Sequence, residues 1–427
     1  MRHSVAPQDI SPYLLFGRGI IDRIAKRILC KLLEDIRHGS ITLSDQSQEI
    51  SFGTVSETCR LSAVLIVTDK RFFRSIVFGG SIGVAEAYMA GYWRSDDLTS
   101  LIRIIILNQD VLLRMENGFS SLMNFVHNAI HRKRRNSPDG SVQNIYAHYD
   151  VGNDFFRTFL DDTMTYSCGI FKNEHDTLDS ASVAKYDHIC RKLSLTPADH
   201  IIEIGSGWGG FAIHAAGTYG CRVTTTTISK AQYDLAQERI EQAGLRDRIT
   251  LLMRDYREIE GRYSKLVSIE MIEAVGHEFL NTFFACCSRL LIDDGVMALQ
   301  SITINDRMYD QHIKTVDFIR RYIFPGGSIP SVTSLCNAAT AASDLRLVHH
   351  EDITPHYQKT LIAWRQKFKS HLDEIRTLGY NEQFIRMWEY YFCYCEAGFA
   401  ERYIGDVQML FSKPGWRGAT IFTMSHE

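Results

Sequence analysis

The residues with the clearest chemical use stand in one short run, Glu203-Ile204-Gly205-Ser206-Gly207-Trp208-Gly209-Gly210. Glycine lets the main chain take positive φ and lets a ligand approach the backbone closely. A glycine-rich turn between a strand and a helix is a common way to hold a nucleotide-like ligand. Here the spacing is not Gly-x-Gly-x-x-Gly, and the following strand ends on Thr227, where many ribose sites use an acid. Both features argue against a nicotinamide cofactor. The order Glu203-x-Gly205-x-Gly207 suits S-adenosylmethionine better. That ligand carries an ammonium, a carboxylate and a sulfonium but no phosphate, so it needs close backbone contact more than an anion nest.

A sheet must hold that turn. His200–Ile204 reads as a short apolar strand running into the glycines, and Phe211–Ala216 reads as the helix that follows. Arg222–Thr227 is rich in β-branched residues and reads as the next strand. Ser229 is a good N-cap for a helix opening at Lys230. Thr250–Met253, Ser264–Ser268 and Val296–Gln300 supply three more strands. Strands alternating with helices imply a parallel sheet, and the fold class expected is a doubly wound, Rossmann-like α/β domain. Its ligand belongs beyond the carboxyl ends of the strands.

The chain has 427 residues, more than one core usually serves, so two domains are expected. A hydrophobic fraction of 45% with 23% charged residues is ordinary for a globular protein, and the net charge of -3 gives no global signature of nucleic-acid binding. Ten cysteines without a CxxC pair, and no secretory signal, indicate reduced thiols in the cytoplasm. The adjacent Cys286 and Cys287 read as packing residues of a helix. No His/Cys/Asp cluster has metal-ligand spacing, so no metal is expected. The apolar stretch from Leu101 to Leu113 contains Arg103, Asn108 and Asp110 and cannot span a bilayer. Any membrane would therefore be met peripherally, at its surface. Residues 1–130 mix helices with short alternating strands such as Ser62–Val67, giving a smaller α+β domain. A basic linker, 131–145, opens with His131-Arg132-Lys133-Arg134-Arg135 and suits either solvent or anionic headgroups. Residues 146–427 form the second domain.

The sequence resembles the cyclopropane-fatty-acid synthase family. The matching segments are HYDVGNDFF (148–156), MTYSCGIF (164–171), EIGSGWGG (203–210), TISKAQ (227–232), EMIEAVGHEFL (270–280), DFIRRYIFPGGSIPS (317–331) and HYQKTLIAW (356–364), with FGGSIGVAEAYMAGYW (78–93) in the N-terminal part. The resemblance implies a methyltransferase that adds a one-carbon unit to a cis double bond in a phospholipid acyl chain, with the N-terminal domain handling lipid. Dimers among the two-domain relatives allow a homodimer here. It further implies that Tyr166 and Ser167 touch S-adenosylmethionine from a lid segment. Gly205, Gly207 and Gly209 line its amino-acid end, Thr227 and Gln232 sit near ribose and adenine, and Asp255 and Tyr256 flank the adenine. The base is implied to be a bicarbonate ion, held by the Cys168 and Ile302 N–H groups and the Tyr357 hydroxyl, with Glu273 either accepting its proton or orienting it. His148 would help position the site.

In that reaction the π-electrons attack the sulfonium methyl and leave a carbocation, and a base removes a proton from the new methyl as the ring closes. The site must be dry, because water would trap the cation, and an anion beside the cation stabilises it. One departure concerns the family's Leu-His-Thr-Ile, which reads Leu299-Gln300-Ser301-Ile302 here. Gln300 can hydrogen-bond an anion but cannot carry charge or a proton. His277 is a candidate to compensate. Glu270 and Glu278 read as plain helix-start carboxylates. Three other outcomes stay open from the residues. One is a methyl- or methylene-branched product from the same cation. Another is of a different class, a lipid-binding scaffold that kept the fold. The third is a methyltransferase for small oxygen or nitrogen acceptors. The alternating aromatic and aliphatic residues of 317–327 suit a wall for an alkyl chain and oppose the small acceptor.

Overall fold

A computed structural model describes residues 19–117 and 151–418. The chain divides into two compact units, one holding residues 19–117 with 381–397, the other 151–380 with 398–418. The proposed linker 131–145 and His148 lie outside the described residues.

The first unit is α+β. Strands β1 (Gly39–Asp45), β2 (Gln48–Thr54), β3 (Ser62–Val67) and β4 (Trp93–Ser95) form a sheet in the order β2-β1-β3-β4. Every second residue of β3 is buried, the period-two pattern of a half-buried strand. The helix Arg71–Met89 breaks at Gly80, whose φ of 55° and ψ of -142° are open only to glycine. The chain then folds back so tightly that a Cβ on Gly83 would lie 1.9 Å from the Ser75 carbonyl oxygen. Residues 381–397 belong to this unit rather than to the C-terminal domain in which the sequence reading placed them. Side chains of the helix Glu382–Ala400 account for it: Glu389 accepts from the Tyr88 hydroxyl at 2.9 Å, and buried Glu396 accepts from Thr99 at 3.3 Å.

The second unit carries a seven-stranded sheet in the order β10-β11-β9-β8-β5-β6-β7. The strands are β5 (His200–Ile204), β6 (Arg222–Thr227), β7 (Ile249–Met253), β8 (Tyr263–Ile269), β9 (Leu291–Ile304), β10 (Arg346–Asp352) and β11 (Ile404–Ser412). β5 to β9 run parallel, while β10 and β11 are antiparallel. Helices on both faces cover two apolar cores, one around Phe283, Leu290 and Met297, the other around Phe211, Ala215 and Val267. The expected strands all occur. β9 is longer than the expected 296–300 because it pairs with β8 on one side and with β11 on the other. Ser229 caps the helix Lys230–Gln242 by accepting from the Gln232 N–H, a contact worth about 1 kcal/mol. Strand order reverses between β5 and β8, so the crevice for a ligand opens at the carboxyl ends of these two neighbours. Among the described residues, no helix is long and apolar enough to cross a membrane.

Candidate active site

The turn after β5 is built from positive-φ glycines: 96° at Gly205, 49° at Gly207 and 85° at Gly209. They serve different ends. A Cβ at Gly205 would stand 2.9 Å from Met271 Cγ, so this glycine lets the loops after β5 and β8 press together. At Gly209 it would meet Ala236 at 3.4 Å, so that glycine serves helix packing. At Gly207 it would meet nothing within 4 Å, so the backbone there faces open space that a ligand can approach. Glu203, just before the turn, is buried and accepts from the Thr225 hydroxyl at 2.5 Å; burial pushes its carboxyl up to about 7.

Across the crevice, the first residue after β8 is Glu270, a non-glycine residue at φ 47°. Such a conformation is uncommon and costs roughly 1 kcal/mol or more, so other contacts must hold it. They are dense. Glu270 Oε1 accepts from the Cys168 N–H at 2.8 Å and from Gln300 Nε2 at 2.7 Å, and Oε2 accepts from the Tyr357 hydroxyl at 2.6 Å. Gln300 Nε2 also donates to Asp406 Oδ2 at 3.1 Å, while Gln300 Oε1 accepts from Gln408 at 2.9 Å. Lys192 donates to Gln408 at 2.7 Å and pairs with Glu351, which also meets His188. Glu273 Oε1 accepts from the Ile302 N–H at 2.6 Å and the Ser301 hydroxyl at 3.0 Å. Its buried Oε2 has no hydrogen-bond partner among the described residues.

Three carboxyl groups so close cannot all be charged. Burial, then the charges of Glu270 and Glu273, holds Asp406 well above the usual carboxylate range. Burial and Glu270 push Glu273 up to about 8. Burial also raises Glu270, but the Tyr357 hydroxyl, the Cys168 N–H, Lys185 and Gln300 all favour its ionised form. Of the three, Glu270 receives the most donors: the Cys168 N–H, the Gln300 amide and the Tyr357 hydroxyl. The buried Lys185, pushed down to about 8 by desolvation, also favours its ionised form and donates to Ser167 Oγ at 2.7 Å. Glu270 is held by protein on its hydrogen-bonded side and keeps part of its surface exposed.

A bicarbonate ion does not fit this arrangement. The Cys168 N–H and the Tyr357 hydroxyl, two of the donors expected to cradle it, already hold Glu270, as does the Gln300 amide. The third, the Ile302 N–H, holds Glu273. A second anion against the Glu270 carboxylate would be repelled.

The other expected residues fall as follows. Tyr166 sits in an aromatic cage, 5.3 Å from Trp364, 5.4 Å from Phe156 and 6.2 Å from Phe324 between ring centroids. Trp208 closes the cage, 5.0 Å from Phe156, and donates to Asn153 at 2.8 Å. Thr227 and Gln232 meet at the end of β6, where the Thr227 hydroxyl donates to Gln232 Oε1 at 2.9 Å. Asp255 ties back to its own turn, accepting from the Arg257 N–H at 2.9 Å and guanidinium at 2.6 Å. Tyr256 is buried edge-on against Phe283. His277 is exposed. In 317–327 the apolar Phe318 and Ile323 are buried, but so is Arg320, which donates to the His312 carbonyl at 2.9 Å.

Sequence reasoning passed over Glu270 as a bland carboxylate and did not single out Asp406, Gln408 or Lys185. A signal was present for the strand pair: Asp406 and Gln408 alternate with apolar residues in Ile404–Ser412, which puts two polar side chains on one face of a buried strand.

The sequence profile described as mycolic acid cyclopropane synthetase matches residues 136–409, well over half of the chain. The chain belongs to that family. It is an S-adenosylmethionine-dependent methyltransferase, similar to cyclopropane-fatty-acyl-phospholipid synthases. The Escherichia coli cyclopropane-fatty-acyl-phospholipid synthase is 34% identical over 351 residues, covering 81% of this chain and 87% of its own. The tuberculostearic acid methyltransferase of Mycobacterium tuberculosis is 35% identical over 347 residues, covering 79% and 80%. Among solved structures, the mycolic acid cyclopropane synthase CmaA1 complexed with SAH and CTAB superposes with a TM-score of 0.60 at 31% identity, over 64% of this chain and 98% of its own. Membership in the cyclopropane synthetase family and the doubly wound fold thus agree with the expectation drawn from the motifs.

Proposed function

We propose that this enzyme transfers the methyl group of S-adenosylmethionine to a cis double bond in the acyl chain of a membrane phospholipid and closes a cyclopropane ring. The observation that carries the reading is the apposition, at the ends of neighbouring strands β5 and β8, of a glycine turn open at Gly207 and the hydrogen-bonded carboxylate of Glu270. The turn suits the methyl donor. The carboxylate suits a carbocation, which it stabilises by charge in a site of low polarity. Tyr166, partly exposed and packed on the buried rings of Phe156 and Trp364, adds an apolar wall that excludes water. Thr227 and Gln232 are assigned to the ribose end of the donor, and Tyr166 and Ser167 to its lid side. The bilayer is met from the cytoplasmic side, at its surface.

A second reading keeps the same first step and ends in a methyl or methylene branch. Its support is the likeness to the tuberculostearic acid methyltransferase across most of both chains. Both readings are tested by incubating the protein with S-adenosylmethionine and vesicles of cis-unsaturated phospholipid, then analysing the released fatty acids by mass spectrometry and proton NMR. Upfield ring protons support cyclopropanation. A retained olefinic signal or a new methyl doublet supports the branch. No gain of carbon in the lipid, with S-adenosylmethionine bound, excludes both.

A further inference from the structure

We infer that the Glu270 carboxylate is itself the base that takes the proton from the methylated cation, in the place where a bound bicarbonate would otherwise stand. The inference rests on the acyl-chain reading above and names the group that completes that reaction. Three observations carry it. The donors suited to an external anion, the Cys168 N–H, the Tyr357 hydroxyl and the Gln300 amide, converge on Glu270 at 2.6 to 2.8 Å. The residue adopts φ 47°, an uncommon conformation for a glutamate, and these hydrogen bonds hold it there. It is the first residue beyond β8, at the same end of the sheet as the Gly205–Gly209 turn, and keeps part of its surface exposed.

The step balances without an added ion. The alkene π pair forms the bond to the sulfonium methyl as the carbon–sulfur pair leaves with S-adenosylhomocysteine. The cation is left one carbon from the new methyl. Glu270 takes one methyl proton, and the freed C–H pair closes the third side of the ring. Glu270 becomes a neutral acid and returns its proton to water after the products leave. Burial and the neighbouring carboxyl charge raise both Glu273 and Asp406 above the usual carboxylate range, which disfavours further charge beside Glu270. Gln300 suits this scheme, since an amide donates to the carboxylate without offering a second titrating group.

The test compares wild type, Glu270→Gly and Glu270→Gln in the vesicle assay, with bicarbonate stripped or restored. S-adenosylmethionine binding is followed by calorimetry as a check on folding, and ¹³C-bicarbonate binding is followed by NMR line broadening. Wild type is expected to keep its rate within about twofold without bicarbonate and to bind none. Both variants are expected to bind S-adenosylmethionine and to lose about 100-fold or more in rate, the usual size of a general-base contribution. Glu270→Gly empties the anion position and frees the strained backbone, so added bicarbonate should bind it and restore at least tenfold. Glu270→Gln, which keeps the space filled, should not be rescued. A wild-type rate that collapses when bicarbonate is stripped, or bicarbonate binding to wild type, overturns the inference while leaving the methyl-transfer reading intact. So does a Glu270→Gly variant as fast as wild type without the ion. A wild type that binds S-adenosylmethionine, binds no bicarbonate and methylates no lipid overturns the parent reading and this base with it.

Discussion

Replacing Gln300 by leucine tests whether the buried amide holds the carboxylate cluster together. Gln300 makes three side-chain hydrogen bonds: to Glu270 at 2.7 Å, to Asp406 at 3.1 Å and from Gln408 at 2.9 Å. The bond to an ionised group is worth about 1.5–3 kcal/mol and the two neutral ones about 1 kcal/mol each, so the loss should be about 3–5 kcal/mol. It should be local, because β9 and β11 are paired residue by residue here, Gln300 opposite Gln408. Hydrogen exchange of the β9 and β11 amides measures it directly and avoids treating a two-unit chain as a two-state unfolder. Changing Gln408 to leucine as well removes the partner left stranded, so the double variant should lose about 1 kcal/mol less than the two single losses added. A Gln300→Leu loss below about 1 kcal/mol, or strict additivity in the pair, would refute the reasoning that this amide organises the site.

Glu273 is raised to about 8 in the folded protein, so its contribution to stability is complete below the unfolded value near 4.5 and fades as pH rises through about 8; Glu273→Gln should flatten that part of the stability curve measured by denaturant titration. Glu351 lies the other way: burial opposes its ionisation, but His188 and Lys192 hold it down to about 2, so its contribution is present above about 4.5 and lost toward 2. Acid unfolding of Glu351→Gln should accordingly start from a less stable protein and show a shallower fall in that window. Lys185→Met removes the buried cation that favours ionised Glu270. The acid limb of the kcat/KM profile should move to higher pH, and an unmoved limb would count against Glu270 as the working anion. Gly205→Ala and Gly207→Ala should separate packing from binding. The first, with its Cβ 2.9 Å from Met271, should cost about 1–3 kcal/mol in thermal stability. The second should cost about 1–2 kcal/mol yet weaken S-adenosylmethionine binding by calorimetry at least tenfold, because its new carbon enters the ligand's space.

How far the sequence anticipates this structure follows from where each signal originates. The strands β5, β6, β7 and β8 are legible because each is a short apolar or β-branched run bounded by turn residues. β10 is not: Arg346–Asp352 carries two histidines, an arginine and two acids, as an edge strand facing water on one side can. The placement of 381–397 escapes sequence reading because a helix rich in Trp, Tyr and Phe is equally at home in either core, and only tertiary contact decides. Within the site, the glycine turn announces itself by composition, whereas Glu270 does not. Its role depends on a positive φ and on donors that come from residues 168, 300 and 357, far apart in the chain. Asp255 shows the reverse case. Its place after β7 suggests a ligand contact, but a guanidinium two residues away occupies it.

The most direct test of the central claim uses S-adenosylmethionine carrying a fully deuterated methyl group, purified protein and vesicles of cis-unsaturated phospholipid. If the enzyme methylates the double bond and a base then removes one methyl proton as the ring closes, the fatty acid should retain two of the three deuterium atoms on a ring carbon. Three deuterium atoms on a methyl branch would contradict ring closure while keeping acyl-chain methylation. No deuterium in the lipid, with the donor bound, would contradict the account at its first step.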